Sequence, residues 1–118
     1  MNEYFENIID HYKTPRYNFK PSSYQLSFTK QNLSCGDSIT CYLNTDEVSG
    51  TYSFVGEGCS LTIAAASIIA EMLNEGKIKE FSKFDLDKFI EFLGIKLTIS
   101  RKKCVQVSFE AFKDLLNN

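Results

Sequence analysis

The chain has no tryptophan, one histidine, and no apolar run approaching the roughly 20 residues of a membrane span. No apolar stretch follows a positively charged leader, so nothing in it reads as a secretion or membrane signal, and the expected setting is the cytoplasm. Neither sign of charge dominates: 13 Lys and Arg against 15 Asp and Glu leave a formal net charge of -2. This argues against nucleic acid as the main partner, because phosphate binding wants a clustered basic face and the one basic run, Arg101 to Lys103, is short. Internal repeats, low-complexity segments and linkers are missing too, which leaves residues 1–118 as one expected domain. No pair of cysteines has zinc-finger spacing, and Gly56-Glu57-Gly58 lacks the lysine and the full glycine pattern of a phosphate loop.

What is present is core material: 43% hydrophobic residues, with ten Phe and six Tyr. Its periods divide the chain into a helix, a small sheet and further helices. From Glu3 to Tyr12 the helical period puts Phe5, Ile8, Ile9 and Tyr12 on one face, leaving His11 on an exposed flank, and Pro15 ends the pattern. Tyr24, Leu26 and Phe28 alternate with polar neighbours as a half-buried strand, and Ile39, Cys41 and Leu43 do the same. Residues Asn44 to Gly50 supply a turn before a third strand, Thr51 to Val55, giving an antiparallel meander. After Gly58 the period changes. Leu61, Ala64, Ala65, Ile68, Ile69, Met72 and Leu73 recur at three and four, as in a buried helix. Asp85 is expected to cap a helix through Leu93 that Gly94 ends, and Ser100 to cap a last helix carrying Val105, Phe109, Phe112, Leu115 and Leu116.

Four cysteines fall on this map, and three lie at junctions. Cys35 and Asp37 flank Gly36 just before the second strand, Cys59 follows Gly58 at the start of the long helix, and Cys104 sits in the first turns of the last. Helix N-termini and adjacent cations favour thiolates, so Cys59 and Cys104 are expected to be ligands or nucleophiles with lowered pKa. Each has a plainer reading. Cys41 occupies an apolar slot of the strand alternation and reads as a buried structural thiol. Asp37 could be a turn residue bonding nearby amides, and His11 a solvated or helix-packing histidine rather than a ligand. Spacing alone leaves Cys35, Cys59 and Cys104 open to either role.

Taken together, the segments Asp10-His11-Tyr12-Lys13-Thr14-Pro15-Arg16, Asn32-Leu33-Ser34-Cys35-Gly36-Asp37, Gly56-Glu57-Gly58-Cys59-Ser60 and Arg101-Lys102-Lys103-Cys104 resemble, in order, the motifs of the IscU/SufU/NifU N-terminal family of iron-sulfur cluster assembly proteins. The resemblance spans nearly the whole chain. It implies an α+β fold, a small three-stranded antiparallel sheet packed against four to five helices, with Cys35, Asp37, Cys59 and Cys104 converging at one exposed end. It further implies a cysteine desulfurase as sulfur donor and apoproteins as acceptors.

Local details are similar to the SufU-like branch: Glu57 before Gly58-Cys59-Ser60, Arg101 three residues before Cys104, and Lys103 where the IscU branch has histidine. Leu97-Thr98-Ile99-Ser100-Arg101 replaces the Leu-Pro-Pro-Val-Lys segment of the IscU branch, which argues against a dedicated Hsp70-type chaperone. The insertion usual in SufU between the last two cysteines is missing, and Leu33 stands where a proline is usual. The two branches imply different uses of the same residues. As a scaffold, three cysteines and Asp37 would hold a labile [2Fe-2S] cluster, the harder carboxylate favouring its release. As a sulfurtransferase, the set would hold redox-inert Zn2+ while one cysteine takes a persulfide, with Cys35 the first candidate and Cys104 the second. Arg101 would steady the persulfide or the Asp37 charge, or be a solvated cation. A structural zinc site in a protein-interaction module is the reading from a different class.

Overall fold

Strand β2 (Asp37–Asn44) sets the register of the whole molecule. The pleat of a strand sends alternate side chains to opposite faces, so Asp37, Ile39, Cys41 and Leu43 share one side. Ile39 and Cys41 are fully buried there, and the same alternation carries Asp37, only 2% exposed, onto the core-facing side. β2 is the centre of a meander in the order β1-β2-β3, antiparallel throughout, flanked by β1 (Leu26–Asn32) and β3 (Thr51–Glu57). Cys41 pairs with Phe28 on one side and Phe54 on the other. The computed structural model describes residues 3–32, 36–45 and 50–117.

Helices cover the inner face. Helix α2 (Ser60–Asn74) packs over β3, α5 (Ile99–Leu116) over β1 and β2, and the two helices pack against each other. Small residues make that layer tight: Ala64, Ala65, Ala66, Ser67 and Ala70 of α2 are all buried. Large side chains fill the remainder, with Phe54, Ile39, Ile69, Phe112 and Leu115 each almost wholly removed from water, worth about 1.5–3 kcal/mol apiece. Helix α4 (Leu86–Leu93) starts where Asp85 accepts a hydrogen bond from the Lys88 amide at 2.8 Å, and ends at Gly94 with φ 74°. That left-handed value is cheap only for glycine.

Three expectations need correction. On α1 (Glu3–Lys13), Phe5 and Tyr12 are exposed (42% and 49%) while His11 is 3% exposed. The reason lies on α2, where Ser67 offers a hydroxyl 2.7 Å from His11 Nδ1; Ile8 and His11, three residues apart, therefore form the inward stripe. Arg16 donates its backbone N–H to the same oxygen at 2.8 Å, tying the end of the Asp10–Arg16 segment to α2. The last helix is capped by Thr98, not Ser100: its hydroxyl accepts from the Arg101 amide at 3.3 Å, and Ile99 begins the helix 79% exposed. A short helix, α3 (Ile78–Lys83), escaped the period because Phe81 is its one buried residue. The α+β architecture of a three-stranded antiparallel sheet with five helices otherwise agrees with the expectation.

Candidate metal and sulfur centre

Three elements end at one place. β2 contributes Asp37 as its first residue, α2 contributes Cys59 as its N-cap, and the second turn of α5 contributes Cys104. A carboxylate oxygen of Asp37 and the two sulfurs all lie within 4.8 Å of one another. Cys59 Nα–H donates to Asp37 Oδ1 at 3.1 Å, so the carboxylate joins β2 to the start of α2. The segment Gly56-Glu57-Gly58 turns the chain between them. A Cβ at Gly58 would collide with the Asp37 carboxylate oxygen and meet Asp37 Cα at 3.2 Å, and its φ of 148° would strain any other residue. Glycine there leaves the volume that Asp37 occupies.

The second carboxylate oxygen, Oδ2, is buried and has no hydrogen-bond partner among the described residues. Burying an unpaired carboxylate oxygen is costly, and native proteins rarely leave one so. A cation held between it and the sulfurs would remove the cost. The spacing is compatible: around a tetrahedral zinc ion with bonds of about 2.3 Å, neighbouring sulfurs lie roughly 3.8 Å apart, inside the 4.8 Å limit that holds for all three ligand atoms here. Two soft thiolate donors and one harder carboxylate are a set that zinc, a borderline-soft ion, or cluster iron accepts, and they leave one position for a fourth ligand.

The two sulfurs differ. Burial pushes the Cys59 thiol up, but hydrogen bonds from Cys104 and from the Thr62 side chain, helped by the Thr62 and Leu61 amides, carry it below its ordinary value. Burial, the hydrogen bond and charge of Cys59, and the charge of Asp37 push Cys104 up to about 12. The expected activation of Cys104 by its cationic flank is therefore not found. Lys102 and Lys103 are exposed, whereas Cys104 is 7% exposed, beside the Cys59 sulfur and the Asp37 carboxylate. Cys59 is the more open of the pair, and Asp37 is buried, so the described part of the centre is recessed rather than at a fully exposed surface.

Cys35 lies outside the described residues. Arg101 sits exposed in the first turn of α5, lining a groove of about 480 Å³ with Phe5, Tyr12, Leu61 and Leu97, and among the described residues its side chain has no ion pair. Cys41 is separate from the centre: its sulfur donates to Ala111 O at 3.2 Å and Phe28 O at 3.5 Å, and burial holds its pKa at about 12. The plain reading of Cys41 as a structural thiol stands.

Sequence reasoning missed Thr62 and Ser108. Thr62 is wholly buried, with its hydroxyl 3.3 Å from Cys59 Sγ, and Ser108 of α5 donates to Thr62 O at 2.7 Å. These bonds fix the helix carrying Cys104 against the one begun by Cys59. The available signal was a hydroxyl residue three positions after a cysteine, inside an otherwise apolar helical stripe.

A small antiparallel sheet under helices, with two cysteines and an aspartate gathered where a strand and two helices begin, defines a metal- or sulfur-handling α+β domain. The chain belongs to the NifU-like N terminal domain family, whose model matches residues 3–117. It is 29% identical over 128 residues to the zinc-dependent sulfurtransferase SufU of Bacillus subtilis, covering 93% of this chain and 86% of that protein. It is 31% identical over 130 residues to the iron-sulfur cluster assembly scaffold protein IscU of Thermotoga maritima, covering 96% and 92%. Both alignments are longer than this chain, so each relative carries stretches opposite gaps in it. The fold is shared with the crystal structure of an iron-sulfur cluster assembly scaffold protein for the SUF system from Fervidobacterium islandicum, with TM-score 0.68 and 22% identity over 98% of this chain and 96% of that one.

Proposed function

We propose that residues 1–118 act as one iron-sulfur cluster assembly domain that accepts persulfide sulfur from a cysteine desulfurase and holds Zn2+ or a labile [2Fe-2S] cluster at Cys35, Asp37, Cys59 and Cys104 for transfer to acceptor apoproteins. The observation that carries this reading is the buried Asp37 carboxylate, one oxygen of which lies within 4.8 Å of two sulfurs, and whose Oδ2 has no hydrogen-bond partner among the described residues. The relatives named SufU and IscU support both cargoes. Among the described residues no helix is long and apolar enough to cross a membrane, and free thiols of this kind fit the reducing cytoplasm.

Bound zinc would keep thiolates together without oxidising them. In sulfur transfer, the Cys35 thiolate attacks the outer sulfur of the desulfurase persulfide; a new S–S bond forms, the old one breaks, and the desulfurase cysteine leaves as thiolate. Asp37 holds the start of α2 through the Cys59 amide while this happens. Cys59 gives up its proton before Cys104 does, so the two thiols can be engaged in order. Arg101, exposed near the start of α5, is placed in this reading to steady the incoming anionic sulfur.

Anaerobic purification, metal analysis and incubation with a cysteine desulfurase, cysteine and Fe2+ test the proposal. A cluster spectrum with about two irons per chain marks the scaffold, and tight zinc with faster cysteine turnover and no cluster marks the sulfurtransferase. Both should be lost in Cys35→Ser with the fold intact. A chain that takes up neither metal nor sulfur would overturn the reading.

A further inference from the structure

Among the described residues, Thr62 is the one whose side chain addresses the sulfurs without being a candidate ligand. It is wholly buried, yet no backbone carbonyl among the described residues accepts its hydroxyl, the usual outlet for a threonine inside a helix. The partner it has is Cys59 Sγ, at 3.3 Å. Its position follows from helix geometry: Cys59 is the N-cap of α2, and a side chain three residues on lies over the cap. Its backbone is held from the other side, since Thr62 O accepts from the buried Ser108 hydroxyl of α5.

We infer that Thr62 is a positioning residue for metal binding: its hydroxyl donates to the Cys59 thiolate, fixes the rotamer of that sulfur toward Cys104 and Asp37, and so prearranges the centre. A free thiol can itself donate to Thr62, but a metal-bound or ionised sulfur has no proton, and the hydroxyl is then the donor. Partners that orient a ligand from behind typically change metal affinity 10–100-fold when removed. The inference rests on the proposed reading of Cys59 as a ligand.

Thr62→Val keeps the shape and removes the hydroxyl; Thr62→Ser keeps the hydroxyl. Zinc affinity, measured by competition with a chromophoric chelator on the full chain, should fall about 10–100-fold in Thr62→Val and return to within about threefold of the parent in Thr62→Ser. The thermal midpoint of the metal-free protein should not fall in Thr62→Val, because valine leaves no new buried oxygen. In the Co2+-loaded proteins the sulfur-to-metal charge-transfer band should move in Thr62→Val and be restored in Thr62→Ser. A folded Thr62→Val that binds zinc as tightly as the parent, with an unmoved band, would overturn the inference. If the parent binds no metal, the proposed function fails on its own, and Thr62 is decided by peptide-mapped alkylation of Cys59 at pH 7. That rate should drop severalfold in Thr62→Val and recover in Thr62→Ser; equal rates in all three would overturn the role.

Discussion

Cys104 and Phe109 lie on the same helix, less than two turns apart, and face opposite kinds of interior. Around Phe109, the rings of Phe81, Phe89, Phe84 and Phe92 form a chain with centroids 5.4 to 6.2 Å apart, at mostly tilted or edge-on angles. Lys113 closes that end, its ammonium 5.0 Å from the Phe81 centroid and donating to the carbonyls of Phe81 and Ser82 at 2.9 Å. The polar groups there are answered. Around Cys104 the opposite holds: a carboxylate oxygen without a partner among the described residues, two thiols whose proton affinities are pushed apart, and a glycine spared a side chain so that Asp37 fits. The aromatic end adds stability, and the sulfur end gives some of it up to a buried carboxylate oxygen without a partner among the described residues.

The contrast can be broken first at its stable end. Phe89→Ala removes a wholly buried ring that meets four others and should cost about 3–5 kcal/mol in urea unfolding, while zinc affinity of the folded fraction stays within error of the parent. Gly58→Ala attacks the other end. It should cost about 1–3 kcal/mol through crowding and also abolish tight metal binding, because the methyl group occupies the place of the Asp37 carboxylate.

The sharpest separation comes from Asp37→Asn, where the two ends predict opposite signs. The amide keeps an acceptor for the Cys59 N–H and replaces the oxygen that has no partner among the described residues with a neutral NH2 group. The metal-free protein should therefore gain about 1 kcal/mol in chemical unfolding, even as metal affinity falls in the chelator competition. A loss of stability would mean that Oδ2 is not the liability described.

The smallest effect concerns the clamp between α1 and α2. Burial, then the charge of Arg16, lower the pKa of His11 against the pull of Glu71 and Asp10. The unfolded chain thus takes up its proton first as pH falls. The stability held by the neutral ring is complete above about 6.5 and is lost as pH drops through the lower folded value. Thermal midpoints should decline from pH 7 to pH 5, and the decline should be shallower in His11→Gln.

Most of the fold was legible because each element repeats one period against one face. The alternation in β1 and β2, the three-and-four pattern in α2, and the Asp85 and Gly94 stops of α4 are local signals that local chemistry obeys. The failures were cases where the deciding group sits on another element. Ser67 of α2 turned His11 inward, and the pattern of α1 by itself favoured Phe5 and Tyr12. The candidate centre was legible as residues but not as electrostatics. Lys102 and Lys103 adjoin Cys104 in sequence, yet its proton affinity is set by burial and then by Cys59 and Asp37, 45 and 67 positions away. Arg101 was legible only as a cation near the centre, and its exposed place on α5 gives it reach without a fixed partner among the described residues.

Cys41 has a consequence of a different kind. Its sulfur is sealed from water under α5, bonded to two carbonyls, with a proton that ordinary pH does not remove. To a thiol reagent it is silent while the chain is folded and becomes visible only when the sheet and α5 part. The molecule thereby carries its own clock of global opening: the slow fraction in a labelling time course times unfolding, and whatever reacts before it reports on the cysteines at the working end.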